Sequence, residues 1–202
     1  AKRVPAAAKR VIYSEGEDER VLNAARVVVD EKLAHPILVG RPAVIESEIE
    51  KLGLNLVAGR DFDIVNPDSD PRYDELWRAY HQLSARDGVT PAIAQAELRR
   101  NTTLIGSLLL ARGDADALVC GTYGAYEDHL KHISRVIGLR KGAKLFAAMN
   151  LLLLPSRVLA FPIAVRGEKL LYNGASEEEN KEYFTRFAGA NDYRLAAGSP
   201  CI

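Results

Sequence analysis

Apolar and polar positions along residues 10–155 predict strands and helices in regular alternation. Short apolar runs rich in β-branched residues predict four buried strands, at residues 11–13, 37–39, 62–65 and 117–120. Between the runs, apolar residues recur at a spacing close to 3.6, which is typical of helices that bury one face. This alternation predicts an α/β fold: a doubly wound, mainly parallel sheet with helices on both faces, in three layers.

Right-handed crossovers would place the loops after the four strands along one edge of the sheet, where α/β proteins bind small molecules. The loop after the first strand carries an acidic cluster that opens a helix, made of Glu15, Glu17, Asp18 and Glu19. The loop after the fourth strand reads Gly121-Thr-Tyr-Gly124 and also precedes a helix. Neither loop is a glycine-rich phosphate fingerprint, so the pattern predicts a cleft without naming its ligand.

The pattern changes after Pro155, and it predicts three parts of the chain. Residues 1–9 are expected to be a linker or tag remnant, and residues 10–155 the α/β domain. Residues 156–202 are expected to be a divergent part of uncertain relation. Within it, residues 158–165 and 169–172 predict a β-hairpin, and Ser176-Glu-Glu-Glu179 is a capping box that opens a helix before a loose tail.

Composition narrows the class of protein. With 202 residues, 48% of them hydrophobic, the chain is long enough for one generous domain with a core. Lys and Arg number 27 against 27 Asp and Glu, and this balance does not favour a nucleic-acid partner or an anionic membrane. The two cysteines have no metal or disulfide spacing, and no apolar run is long enough to span a bilayer. A cytoplasmic protein is therefore expected.

Three sets of side chains are candidates for a metal site or a nucleophile, but each has a simpler interpretation. The acidic cluster could ligate a metal or supply a base, yet carboxylates at a helix start are more often solvated charges on the positive end of the helix dipole. His129 and His132 are three residues apart, as in some zinc sites, but a third ligand is missing, so no metal site is predicted. Cys120 is interpreted as a small buried residue, because no base is positioned to activate it.

The loop after the fourth strand keeps two interpretations open. The backbone N–H groups of Gly121, Thr122 and Gly124 could bind a phosphate at the start of the following helix, or the glycines could simply make a tight turn. The basic residues that follow could clamp a polyphosphate or form an ordinary charged helix face; they are Lys131, Arg135, Arg140, Lys141 and Lys144.

Three separate segments, taken in order, resemble the phosphotransacetylase family: residues 10–25, 66–91 and 103–121. Within that family the sequence of these segments is most similar to the carboxyl-terminal phosphotransacetylase-like domain of bacterial NADP-dependent malic enzymes. The motifs that carry the likeness are Glu-Gly-Glu-Asp-Glu-Arg-Val-Leu, Asp-Pro-Arg-Tyr, Tyr-His, Gly-Val-Thr-Pro and Ala-Asp-Ala before Cys-Gly. The resemblance covers about residues 9–155.

The chain departs from active members of the family at two positions. The resemblance places an arginine where Ser84 stands and another where Lys131 stands. The planar guanidinium of arginine can form bidentate hydrogen bonds with phosphate, whereas lysine provides only a point charge. Serine provides no charge. The family also carries its catalytic serine, arginine and aspartate in a later half of the fold, for which this chain shows no counterpart. The resemblance therefore implies no catalytic residue here.

What the resemblance does imply is a regulatory domain of a bacterial malic enzyme that binds acetyl-CoA or CoA. The expected contacts are Gly121, Thr122, Gly124, Lys131 and Arg135. NADP and a divalent metal would belong to the malic-enzyme catalytic domain, a partner that this chain lacks. Two other hypotheses remain: an active phosphate acyltransferase that uses CoA and an acyl phosphate, and a structural fragment that only oligomerises.

Self-association into a dimer or a larger oligomer is also expected. An aromatic helix face at residues 73–83 and the apolar run at residues 145–154 exceed what a partial domain is expected to cover.

Overall fold

The computed structural model describes residues 9–139 and 141, together with strands at residues 146–154, 157–166 and 169–172. The chain divides into two compact units, Ala1–Gly138 and Leu139–Ile202, which are described separately. The candidate functional site lies in the first unit.

Strands and helices alternate along the first unit, except that three helices lie between β3 and β4. In chain order they are β1 (Lys9–Tyr13), α1 (Glu19–Asp30), β2 (Ala34–Val39), α2 (Pro42–Lys51), β3 (Asp63–Val65), α3 (Tyr73–Ser84), a 3₁₀ turn (Ala85–Asp87), α4 (Pro91–Arg100), α5 (Thr102–Arg112), β4 (Ala117–Val119) and α6 (Tyr126–Val136). Side-chain caps begin three of the helices, since Asp18, Thr90 and Asn101 each accept a hydrogen bond from a backbone N–H in the first turn of α1, α4 and α5.

The sheet has the order β3-β2-β1-β4, and every neighbouring pair is parallel. The predicted α/β fold and its four parallel strands are thus confirmed, although β3 begins at Asp63 and β4 ends at Val119. Because all four strands run the same way, their carboxyl ends meet at one edge, and the loops that follow them share it.

Each face of the sheet is covered by its own helices, which makes three layers. Ile12 and Val39 lie in a core with side chains of α3, α4 and α5, whereas Tyr13 and Leu38 lie in a second core with α1 and α2. Successive residues of a strand point to opposite faces, so a continuous apolar run is needed to fill both cores. The uninterrupted runs in the sequence are therefore a consequence of burial on both sides.

The aromatic face of α3 is covered within this unit. Tyr80 is 1% exposed, and Tyr73 and Trp77 pack against the same core. α4 and α5 therefore cover the aromatic part of this face, contrary to expectation, whereas Leu83 at its end is 51% exposed. The expected self-association stays a prediction. The other reason for expecting self-association, the apolar run at residues 145–154, has side chains outside the described residues.

The second unit contains an antiparallel sheet of the order β5-β6-β7. Its strands are β5 (Phe146–Leu154), β6 (Arg157–Arg166) and β7 (Lys169–Tyr172). The pairing of β6 with β7 confirms the predicted hairpin, and the long apolar run forms β5, which pairs with β6. The predicted helix after Ser176 and the tail lie outside the described residues.

Gly16 allows the turn after β1 to pass directly over β2. A Cβ atom at Gly16 would lie 2.8 Å from both the Leu38 Cβ and the Val39 carbonyl oxygen. The backbone N–H of Gly16 also donates to that carbonyl at 3.1 Å, so the close approach is part of the sheet. A side chain here would have to push apart two backbone segments.

We expect Gly16→Ala to lower the free energy of unfolding by about 1–3 kcal/mol, the usual cost of overpacking a well-packed site. The change would appear as a lower urea midpoint in a chemical unfolding curve. Ala24→Ser, on the exposed side of α1, is the control, and it should lower the midpoint clearly less, since the helix propensity of Ser costs about 0.5 kcal/mol. An unchanged midpoint for Gly16→Ala would contradict the close packing.

Candidate functional site

A cavity of about 560 Å³ opens where the parallel strands end. The loops after all four strands contribute to it, as do Arg99 at the end of α4 and Thr102 at the start of α5. The lining residues are Glu15, Glu17, Asp18, Gly40, Arg41, Pro67, Asp68, Arg99, Thr102 and Tyr123. The sequence predicts a cleft at this edge, and its walls contain charges of both signs.

Two carboxylates of the acidic cluster are engaged in the local structure. The Glu17 carboxylate accepts hydrogen bonds from the backbone N–H, Nε and Nη2 of Arg41, at 2.8, 2.9 and 2.7 Å, and these contacts tie the loops after β1 and β2 together. The hydrogen bonds from Arg41 lower the pKa of Glu17. Asp18 caps α1 and binds the Arg20 guanidinium, which lowers the pKa of Asp18. Within the described residues, no group of three or more His, Cys, Asp or Glu side chains could hold a metal ion.

Arg99 is held at the cavity wall by a tyrosine instead of a carboxylate. Its Nε donates to the Tyr73 hydroxyl at 3.0 Å, and its guanidinium carbon lies 4.9 Å from the centroid of the Tyr73 ring. The Tyr73 hydroxyl in turn donates to the Gln95 carbonyl oxygen at 2.9 Å. Arg99 thus presents a fixed positive charge to the cavity.

Glu15 is a buried carboxylate at the centre of this edge. Its side chain is 2% exposed, although the residue lies in a loop. The Gly121 N–H donates to Oε1 at 3.2 Å, and the Thr122 hydroxyl donates to Oε2 at 3.3 Å. Burying a carboxylate is costly unless hydrogen bonds replace its water, and the loop after β4 provides them.

His129 fastens the same loop from α6. Its Nε2 lies 2.8 Å from the Tyr123 carbonyl oxygen, and its Nδ1 lies 2.8 Å from Thr103 Oγ1 and 4.0 Å from Glu15 Oε1. A carbonyl oxygen can only accept, so Nε2 carries the hydrogen, and in the neutral ring Nδ1 accepts from Thr103. Gly124 is needed here, because its φ is +91° and an added Cβ would lie 3.1 Å from His129 Nε2.

The structure brings only part of the predicted ligand site together. Gly121, Thr122 and Gly124 lie in the loop beside the cavity, but the Gly121 N–H and the Thr122 hydroxyl already bind Glu15. Arg135 lies near the far end of α6, about 14 Å along the axis from the start of the helix. There it forms an ion pair of 3.0 Å with Asp87, and Lys131 is exposed on the turn between.

Sequence reasoning missed the roles of Glu15, Arg41 and Arg99 at the cavity. Glu15 and Arg41 follow their strands by two residues, and that position alone places them at the functional edge. Arg99 gives no such signal, because it reaches the cavity only through the bend between α4 and α5.

The two positions where the resemblance expects arginine differ in their surroundings. Ser84 is the last residue of α3 and is 0% exposed. It lies near the buried Tyr80, whose hydroxyl donates to the Glu97 carboxylate; burial and then this hydrogen bond raise the pKa of Tyr80. Lys131, in contrast, is exposed on α6. Cys120 is partly buried, and burial, followed by the charge of Glu15, raises the pKa of its thiol.

Residues 1–163 match the phosphate acetyl/butaryl transferase family. The chain belongs to this family. It is 51% identical over 150 residues to the NADP-dependent malic enzyme of Haemophilus influenzae, an alignment that covers 74% of this chain and 20% of that enzyme. It is 30% identical over 152 residues to the phosphate acetyltransferase of Nitratidesulfovibrio vulgaris, with 75% of this chain and 21% of the relative covered.

Solved structures agree with the family and with the fold. A phosphotransacetylase from Streptococcus pyogenes superposes with a TM-score of 0.63 at 25% identity, over 77% of this chain and 46% of that one. The chain thus spans about one fifth of the length of the two curated relatives and under half of this structure. In the described part of the chain, no helix is long and apolar enough to cross a membrane.

His132 links α6 to the cap of α5. The Asn101 Oδ1 accepts from the Leu104 N–H at 2.9 Å, so its amide nitrogen is the group that faces His132 Nε2 at 2.8 Å. An amide nitrogen only donates, and Nε2 must therefore accept, which requires a neutral ring with its hydrogen on Nδ1. Burial lowers the pKa of His132 below its ordinary value of 6.5, in agreement with this assignment.

We therefore expect acid to destabilise this helix junction. At a pH well above 6.5 the His132 ring is neutral in the folded and the unfolded chain, so it does not affect the free energy of unfolding. As the pH falls below 6.5, the unfolded chain binds a proton before the folded chain does, and the free energy of unfolding decreases. This loss ends when the pH reaches the lower pKa of the folded state. Urea midpoints measured between pH 7.5 and 5 should fall less steeply in His132→Gln, whose side-chain oxygen can still accept from Asn101. His81→Gln on α3 is the control, and an unchanged slope in His132→Gln would contradict the assignment.

Proposed function

We propose that this chain is the phosphotransacetylase-like regulatory domain of an NADP-dependent malic enzyme in the bacterial cytoplasm. In this proposal it binds acetyl-CoA as an allosteric effector and has little or no acetyltransferase activity of its own. The observation that carries the proposal is the contrast in identity over similar lengths: 51% to a malic enzyme and 30% to a phosphate acetyltransferase.

The chemistry at the two departures supports weak or absent acetyl transfer. Transfer between CoA and phosphate needs preorganised donors that hold both anions and stabilise the developing oxyanion. Ser84 is fully buried and carries no charge, and Arg135, the arginine nearest to Lys131 on α6, is paired with Asp87. Loss of a single oxyanion donor commonly costs about 10²–10³ in rate, so the absence of arginine at both positions leaves little catalysis.

Binding without catalysis is enough for regulation. A domain that binds acetyl-CoA more tightly in one state of the enzyme shifts the activity of a distant site, by a coupling of typically about 1–3 kcal/mol. In the proposed enzyme that distant site is a catalytic domain that uses NADP and a divalent metal to decarboxylate malate to pyruvate. Self-association and contact with that domain belong to the same proposal.

Titration calorimetry of the 202-residue chain with acetyl-CoA, CoA and acetyl phosphate, together with a coupled assay of acetyl transfer, separates the hypotheses. We expect acetyl-CoA to bind and acetyl transfer to stay at background. Robust turnover would instead establish a phosphate acyltransferase, the function of the relative at 30% identity. Absence of binding by all three compounds would favour a purely structural fragment.

A second prediction concerns the cations on α6. If the phosphates of CoA lie along this helix, Lys131→Ala combined with Arg135→Ala should abolish binding without unfolding the chain, and raising the salt concentration should weaken binding to the unmodified chain. The two single variants also show how far the bound ligand extends along α6. Arg135 lies about three turns from the loop after β4, so only an extended ligand could contact both the loop and Arg135. Lys51→Ala on α2 is the control. Undiminished affinity in the double variant would place the ligand elsewhere.

A further inference from the structure

The loop after β4 is arranged around an anion that belongs to the protein itself. Both oxygens of the Glu15 carboxylate accept hydrogen bonds from this loop, one from the Gly121 N–H and one from the Thr122 hydroxyl. The His129 ring lies 4.0 Å away, and the carboxylate is almost completely shielded from water. We call the two donors, the Gly121 N–H and the Thr122 hydroxyl, the oxyanion seat; His129 holds their loop in place from α6 and donates no hydrogen bond to the carboxylate.

The oxyanion seat is held from outside, so its shape does not depend on Glu15 alone. The Thr122 carbonyl oxygen accepts from Arg20 Nη2 at 3.1 Å, and the Tyr123 carbonyl oxygen binds His129. Gly121 has a φ of +94°, a backbone conformation that favours glycine, and its N–H is directed to Glu15 Oε1. The donors are therefore set by backbone geometry and by α6.

The neighbouring cavity provides space for an alternative position of the Glu15 carboxylate. Glu15 and Tyr123 both line it, so the oxyanion seat borders a space large enough for a ligand. Arg99 lines the same cavity and is hydrogen-bonded to the neutral Tyr73 hydroxyl, not to a carboxylate. A displaced Glu15 side chain would thus find both water and a positive charge.

We propose that Glu15 is a built-in competitor for the oxyanion seat, and that a small oxyanion, a carboxylate or a phosphate group, enters by exchanging with it. In the structure the seat is closed by this internal anion. The identity of the natural anion rests on the proposed function, since acetyl-CoA carries phosphate groups. The exchange of Glu15 with a small anion does not depend on that function. Competition from Glu15 thereby raises the concentration of anion that is needed for binding at the edge of the sheet.

The test uses acetate and inorganic phosphate as probes and the backbone amide signals of Gly121 and Thr122 in ¹H–¹⁵N spectra as the readout. In Glu15→Ala, acetate has the size of the group removed and phosphate is the larger, tetrahedral alternative. We expect saturable shifts of both amide signals, at concentrations at least about tenfold lower than in the unmodified chain, as the strength of charge-assisted hydrogen bonds implies. A response to acetate alone identifies a carboxylate seat, and a response to phosphate identifies a phosphate seat.

Glu19→Ala is the matched control, because it removes one exposed carboxylate from the first turn of α1 and should behave as the unmodified chain. Equal affinity in the unmodified chain and in Glu15→Ala would overturn the proposal, as would a folded Glu15→Ala that responds to neither probe. If Glu15→Ala does not fold, Glu15→Gln replaces it: the neutral amide should allow binding at lower concentrations than in the unmodified chain, and no gain would overturn the proposal. Acetyl-CoA added to the same samples tests the proposed function separately, since that function can fail while the exchange of small anions remains.

Discussion

The candidate site depends on how the chain leaves the central strand β1. The Ser14 N–H donates to the Val119 carbonyl oxygen on one side, and the Gly16 N–H donates to the Val39 carbonyl oxygen on the other. Hydrogen bonding to both neighbouring strands therefore continues past the end of β1. Glu15, which lies between these two residues, has almost no freedom of backbone position, and its carboxylate is directed to the loop after β4. Replacement of Gly16 by any larger residue would disturb this exit.

From that fixed point, a network of charges and hydrogen bonds ties the loops of the sheet edge together. Glu17 joins the loops after β1 and β2 through Arg41, and Glu15 joins the loops after β1 and β4. Arg20 adds a second link to the loop after β4, at the Thr122 carbonyl oxygen. These polar groups thus fix the positions of the loops that border the cavity. Such preorganisation is what a ligand site needs, because groups already in place pay no ordering cost when the ligand arrives.

The two positions where the resemblance expects arginine lie apart from the groups that line the cavity. Neither Ser84 nor Lys131 is among the residues that line the cavity at the carboxyl ends of the parallel strands. At the end of α3, Ser84 is buried beside Tyr80, and Arg135 pairs with Asp87 on the turn that follows. Of the two positions where the resemblance expects arginine, Ser84 is buried and Lys131 is exposed, and the nearby ion pair of Arg135 with Asp87 is partly exposed. A fold can keep its cleft while its reactive groups are replaced.

The sequence by itself determined the class of fold, the four parallel strands and the edge at which a cleft forms. These follow from local physics: apolar runs long enough to fill two cores, helical spacing between them, and caps such as Asp18 and Thr90. The sequence also indicated the family, because several of the family's motifs occur in the same order along the chain. The tertiary structure decided which polar groups meet. Glu15 and Thr122 are 107 positions apart along the chain, and Arg135 finds Asp87 across 48 positions (135 minus 87), so no local pattern could pair them. Burial of a charged side chain depends on everything packed around it, and for that reason only the folded chain shows that the predicted phosphate loop already holds a carboxylate.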